Sequence, residues 1–402
     1  MTQNGILILI CSIIIVSYIF DVFAKKVKIP SVLLLIGFGI GLKFLAVQFN
    51  FVSIDFMKII PTIGTIGLVL IVFEGGLELE YHSDKNRLIR NAIAASIIGL
   101  LATALGIAGI FAYFTGESYY RCLLNAIPYS VISSAIAIPS AAGLKERFKG
   151  FITVESSFSD IFGIVFYNYA LVYSSLSLGV VFSLGFELIA VSLLSMVFCL
   201  ILLYLLKSID HNIKFILILT VMMLLFSIGK EFHLSSLILV LIFGLMVRNI
   251  HLVQNHFIQK HFNTIKFKKD FDFMHSITAE AVFLIKTFFF IIFGYIIDVS
   301  LLADERMLLI ALCTIVVIYV FRLIYLPIFI KHILPEFFYS PRGLISILLY
   351  VGLPEEMKIP QLHFGLLFFI ILATSLVMIS SMFVGDKESS NLPDEEQDLA
   401  EE

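Results

Sequence analysis

Charge is scarce in this chain. Asp, Glu, Lys and Arg make up only 14% of its 402 residues, against ~25% in an average soluble domain. That scarcity argues against a soluble globular protein. Cysteine is sparse too: Cys11, Cys122, Cys199 and Cys313 stand singly in apolar segments. With no C-x-x-C and no metal-ligand spacing, they read as packing residues. The short alternating apolar and polar segments of a membrane β-barrel are missing. No A-x-A-like cleavage site follows the first apolar stretch, so that stretch reads as a retained helix. The net charge of −3 gives no basic character suited to nucleic acid, and the basic run at 260–269 reads as a loop. No cofactor-binding motif is visible.

What remains is hydrophobic. Apolar residues reach 60% and mean hydropathy is +1.03. Gly5–Phe23, Ala92–Phe114, Phe186–Leu206 and Gly365–Val384 carry almost no charge. About 20 such residues cross a ~30 Å hydrocarbon core as a helix. The pattern predicts thirteen spans: 5–23, 31–49, 57–73, 91–114, 120–143, 151–174, 182–206, 212–229, 232–249, 277–297, 306–331, 339–354 and 361–384. The one long polar connection is 250–276, and the acidic tail 385–402 reads as disordered. The chain is therefore expected to be an all-α polytopic membrane protein, with a transporter domain over 1–384.

Lys and Arg orient such a chain. The loops after odd-numbered spans hold Lys25, Lys26, Lys28, Lys85, Arg87, Arg90, Lys145, Arg147, Lys149, Lys207, Lys214, Arg248, Lys260, Lys266, Lys268, Lys269 and Lys331. The opposite loops hold Lys43, Lys58, Arg121, Lys230, Arg306 and Lys358. This asymmetry predicts an outside N-terminus and a cytoplasmic C-terminus in a cell (inner) membrane.

A few charges lie inside predicted spans: Glu155 and Asp160 in the sixth, Lys286 in the tenth, Arg322 in the eleventh and Arg342 in the twelfth. A central membrane charge costs at least ~2.5–3.5 kcal/mol on insertion scales, so it persists where it pairs, meets water or works. Five helical steps separate Glu155 from Asp160 by about 140°. One carboxylate can then face a cavity while the other pairs with a base. Arg322 and Arg342 are the candidate partners for Glu155, although Arg342 could instead snorkel to the inner interface. Lys286 could carry a proton or serve as a fixed structural cation. Ser156 and Ser159, which lie between the two carboxylates, add hydroxyl oxygens, which suit a hard cation.

Two spans are interrupted. The fifth contains Pro128 and Pro139, with Ser130, Ser133 and Ser134 between them. The twelfth opens with Ser340-Pro341-Arg342-Gly343. Proline frees backbone carbonyls, and paired breaks in the two halves of a transporter point to an ion site. A seven-span offset makes the halves inverted repeats, with the seventh span as linker.

These motifs resemble those of the monovalent cation/proton antiporters, in particular the sodium/proton exchanger branch. Phe73–Glu80 resembles its FEGGL signature. Glu155–Asp160 resembles its E-S-x-x-N-D motif, with Ser159 in place of Asn. Lys286–Asp298 resembles the helix before the basic one, Arg322 falls where the family carries a membrane base, and Pro341–Gly343 resembles the second crossing motif. The family's T-D-P is absent; Ser133-Ser134-Ala135-Ile136 looks closer to the S-S-T-A of a related branch. The resemblance implies a homodimer with core helices at about 91–174 and 306–384, and scaffold helices at about 1–73 and 182–297. It implies two half-broken crossing helices, a Glu155–Arg322 pair, and Asp160 as the carboxylate that binds cation and proton in turn.

The activity this implies is antiport of Na+, or K+ or Li+, for protons in pH homeostasis. Ser133, Ser134, Ser156 and Ser159 would assist Asp160, and a single unpaired carboxylate points to electroneutral exchange. A cation channel lined by serine-rich breaks, or an uncoupled cation transporter, is the alternative. An intramembrane protease would need a second Asp motif, which the sequence lacks, so no enzymatic activity is expected.

Overall fold

The computed structural model describes residues 3–27, 29–48, 60–78, 86–172, 189–191, 193–201, 214–231, 236–249, 265–297, 304–331 and 333–388. Among these residues every regular element is helical. The helices are α1 (Gln3–Val27), α2 (Ser31–Gln48), α3 (Ile60–Glu78), α4 (Asn86–Thr115), α5 (Tyr119–Ser130), α6 (Ser134–Ser140), α7 (Glu146–Val172), α8 (Ile189–Ile201), α9 (Lys214–Glu231), α10 (Ser236–Arg248), α11 (Ile265–Ile296), α12 (Glu305–Phe329), α13 (Leu344–Val351) and α14 (Phe364–Glu388). With α5 and α6 counted as one interrupted pass, the described residues hold the thirteen passes that hydropathy predicts.

Several ends differ from expectation. The third pass runs on to Glu78, not 73, so Glu74 and Glu78 are helical. The tenth begins at Ile265, twelve residues before 277, because a helix can leave the hydrocarbon and continue through KFKKDFDF. Hydropathy marks the apolar slab, whereas backbone hydrogen bonds mark the helix. The twelfth pass is helical only from Leu344; Tyr339–Gly343 is non-helical. The last helix reaches Glu388, past the expected start of the tail at 385. The basic residues Lys28, Lys58, Lys85, Lys207 and Lys260, most of the 250–276 connection, the ends of the seventh span and the tail from 389 onward lie outside the described residues.

Contacts gather into two sets. Helix α4 packs on α5, α7 and α12, α6 packs on α7, α13 on α5, and α12 on α14. Separately, α2 packs on α11, α3 on α10 and α11, and α9 on α10. Sparser contacts join the sets, through α7 with α10 and α13 with α3 and α11. The α2–α11 contact is backbone on backbone. A Cβ placed on Gly39 would lie 2.1 Å from the Ile291 carbonyl oxygen, and one on Gly294 would lie 2.2 Å from that of Ile36. Only glycine permits that approach, as at small-residue crossings in membranes generally. Outward, α12 presents Leu309, Leu312, Val316, Val320, Leu323 and Ile324, an apolar face suited to lipid.

Candidate functional site

The fifth pass breaks where α5 ends at Ser130 and Val131 turns extended. Its chain resumes as helix at Ser134. Such a break leaves backbone groups without helical partners, and the amides of Ile132, Ser133 and Ser134 are each met by a specific acceptor. Ile132 N–H donates to Ser159 Oγ at 2.9 Å. Ser133 N–H donates to the Pro341 carbonyl at 2.8 Å. Ser134 N–H donates to Asp160 Oδ2 at 3.1 Å. The gap is thus stitched to α7 on one side and to the second interrupted segment on the other.

At the end of α5 the unpaired carbonyls meet Arg342. Its Nε donates to the Tyr129 oxygen at 2.8 Å and its Nη2 to the Ser130 oxygen at 3.2 Å. Nη1 donates to the Ser340 carbonyl at 2.6 Å and also to Ser340 Oγ. The side chain is 1% exposed, so it does not snorkel. A cation at a helix C-terminus is also favoured by the helix dipole. Gly343 lets this crossing close: a Cβ there would lie 2.5 Å from Ser133 Oγ and 2.9 Å from Ile136 Cδ1.

Asp160 sits at this crossing, 8% exposed. Oδ2 also accepts from Ser134 Oγ at 2.5 Å. Oδ1 has no hydrogen-bond partner, and neither does the buried Ser133 Oγ. Buried polar atoms normally find partners, so two orphaned oxygens on groups drawn to one crossing are a feature to explain. Ser159 accepts the Ile132 amide. Ser156 donates to the Ile152 carbonyl at 2.7 Å within its own helix, which leaves its lone pairs unoccupied.

Glu155 lies on another side of α7, in a dry ion pair. Arg322 Nη1 and Nη2 each reach a Glu155 oxygen at 2.9 Å, and both residues are 1% exposed. Tyr325 OH donates to Glu155 Oε1 at 3.1 Å. The rest of the guanidinium holds the connection into the second break. Nε donates to the Phe337 carbonyl at 3.0 Å, and Nη2 to those of Glu336 at 2.6 Å and Tyr339 at 3.1 Å. A buried pair is tolerable when its hydrogen-bonding capacity is satisfied, and here it is.

Lys286 lies elsewhere, 3.2 Å from Glu74 Oε2 in a partly buried pair between α11 and α3. Glu74 was not among the residues expected inside spans, because apolar character falls away after Phe73. The signal was a lone acid near the end of TIGLVLIVFEGG, followed by two glycines. Tyr325 and the Tyr129 and Ser130 carbonyls were also unanticipated; nothing in composition marks them.

A family model described as sodium/hydrogen exchanger, transmembrane, matches residues 10–385. A search of curated proteins gives no match. Two structures of the sodium proton antiporter MjNhaP1 from Methanocaldococcus jannaschii are similar in fold. The one at pH 8 has a TM-score of 0.74 at 21% identity, covering 94% of this chain and all of that one. The other, from an electron-microscopy map, has a TM-score of 0.69 at 20% identity, covering 99% of this chain and all of that one. With the family pattern running through nearly its whole length, the chain belongs to the sodium/hydrogen exchanger family.

Proposed function

We propose that the chain exchanges Na+ for protons by alternating access at Asp160. The observation that carries this reading is the half-engaged carboxylate. Ser134 fixes one oxygen, while Oδ1 is buried without a partner beside a break that also holds the orphaned Ser133 hydroxyl. Either a proton or a cation can complete that oxygen, and the two exclude each other. Once neutralised, the site can cross a low-dielectric barrier; the empty carboxylate bears the full cost of a buried charge. That difference couples the two gradients.

Glu155 and Arg322 neutralise each other and carry no cargo in this scheme. They fix α7 against α12 and the second break, so that Asp160 keeps its geometry. With one free carboxylate the exchange is one for one and electroneutral. The α4–α7 and α12–α14 set would move as the core against the α1–α3 and α8–α11 scaffold, a division that the sparse contacts between the sets favour. The protein would work as a homodimer in the cell (inner) membrane with its C-terminus cytoplasmic. The Lys and Arg asymmetry of the loops supports that orientation.

The test is cation-driven proton movement in everted vesicles or proteoliposomes carrying a pH dye. Na+ should dissipate an imposed pH gradient, with the membrane potential clamped or free, and Asp160→Asn should abolish the response while the protein still inserts. Normal exchange by the variant would overturn the proposal. A Na+ current that needs no proton gradient would point to a channel instead.

A further inference from the structure

One buried carboxyl has no role in the site as described. Glu336 opens the 3-10 turn Glu336–Phe338, between α12 and the second break. It is 2% exposed, and its Oε2 has no hydrogen-bond partner. The turn packs on α7, α12 and α14. From α7, Glu155 and Arg147 act on the carboxyl; from α12, Arg322 does, with Tyr325 bonded to it. Tyr319 of α12 meets the turn through Phe337, with ring centroids 5.5 Å apart. From α14, the stretch Phe364–Ser380 carries no titratable side chain.

Arg322 is the nearest counter-charge in the chain's connections, and its donors are already spent. It grips the Glu336 main chain: Nη2 reaches the carbonyl at 2.6 Å and Nε at 3.2 Å. A guanidinium has five N–H groups. Here they serve both Glu155 oxygens, the Tyr325 hydroxyl and the carbonyls of Glu336, Phe337 and Tyr339. A buried carboxyl that lacks donors holds its proton. Glu336 lies outside the spanning helices. Burial, with the Glu155 charge adding to it, pushes the carboxyl up to about 7, against its own amide, Arg322 and Arg147. An ionised Glu336 would draw a donor away from Arg322. Each donor drawn away frees Glu155 or one of the carbonyls that fix the second break.

We propose that Glu336 is a second proton-binding site, separate from Asp160, and that loss of its proton loosens the hold of Arg322 on the second break and slows exchange. The proton comes from the aqueous side at which α12 ends, the cytoplasmic side in the orientation given above. The effect on exchange rests on the antiport reading; the effect on stability does not. Glu336 is a positioning residue that touches no cation.

The first test is Na+-driven exchange at saturating Na+ in proteoliposomes, with pH varied on that side. Wild type should slow as pH rises through about 7. Glu336→Gln keeps the neutral form. It should run close to wild type at about pH 6 and exceed it roughly threefold to tenfold at about pH 8, where about ten ionised groups stand for each protonated one. The second test is the thermal midpoint in detergent. A carboxyl held above its ordinary 4.5 stabilises the fold fully below that value, and the contribution is gone above about 7. The wild-type midpoint should fall over that window. Glu336→Gln should fall less, in the wild-type and the Asp160→Asn background alike, and Glu336→Met should follow Glu336→Gln. Exchange profiles of one shape in wild type and Glu336→Gln, or a difference in midpoint that does not change with pH, overturn the proposal. Failure of both neutral variants to insert overturns it too, because the neutral form is the one the fold holds. Exchange surviving in Asp160→Asn would instead overturn the transport-site reading and leave the melting test standing.

Discussion

Ser133 and Pro341 are joined backbone to backbone: the Ser133 amide donates to the Pro341 carbonyl at 2.8 Å. The two interrupted segments are therefore one crossing, in which each break supplies what the other lacks. The first gives an amide to the second, and Arg342 of the second returns donors to the carbonyls of the first.

Gly343 should be intolerant of any side chain. A methyl group there would sit 2.5 Å from Ser133 Oγ and 2.9 Å from Ile136 Cδ1, which forces the crossing apart. Overpacking of this kind costs roughly 1–3 kcal/mol. Gly343→Ala should lower Na+-driven exchange more than tenfold at wild-type protein levels, read by pH-dye dequenching, and Gly343→Val should be inactive.

The Glu155–Arg322 pair should behave as a stability element. Removing one partner leaves an uncompensated charge in a dry site, at a cost of about 3–5 kcal/mol. Arg322→Ala and Glu155→Ala should each lower the thermal midpoint of detergent-solubilised protein by several degrees. The Glu155→Gln/Arg322→Met combination should lose less than the sum of its single variants, the mark of direct coupling.

Ser134 should matter through its hydroxyl as well as its amide. Ser134→Ala keeps the N–H on Asp160 Oδ2 but removes the 2.5 Å Oγ bond. A hydrogen bond to a charged group contributes about 1.5–3 kcal/mol. Exchange at subsaturating Na+ should fall on the order of tenfold, and Ser134→Thr should recover most of it.

Arg342 should resist replacement by lysine. Five donors in a planar fork serve Tyr129, Ser130 and Ser340 at once, and an ammonium cannot match that geometry. Arg342→Lys should therefore retain insertion yet lose most transport. Wild-type rates in that variant would show that charge alone suffices.

Much of this was legible in the sequence, for a physical reason. A charge inside an apolar span is expensive enough to need an explanation, so Asp160, Glu155, Arg322, Arg342 and Lys286 stand out against their neighbours. Pro128, Pro139 and the Ser340–Gly343 run announce the interruptions. What stayed hidden depends on where backbone ends meet in space. Arg342 could have paired with a carboxylate or reached the interface; its engagement with the Tyr129 and Ser130 carbonyls follows only once α5 stops at Ser130. Glu74 escaped because hydropathy ends a span at the first charge, while the helix continues to Glu78. Ser156 shows the converse: its position near Asp160 was plain, but its proton turns back to Ile152, a rotamer choice that spacing cannot specify.

The glycine contact between α2 and α11 bears on how such a machine can move. With Gly39 against the Ile291 carbonyl and Gly294 against that of Ile36, no side chain lies between the two rods at those two points to tilt, compress or repack. That seam is a stiff keel, unable to yield by degrees. A core moving as proposed above would glide past it as a solid block, and a single methyl group wedged into the keel would be felt along the whole stroke.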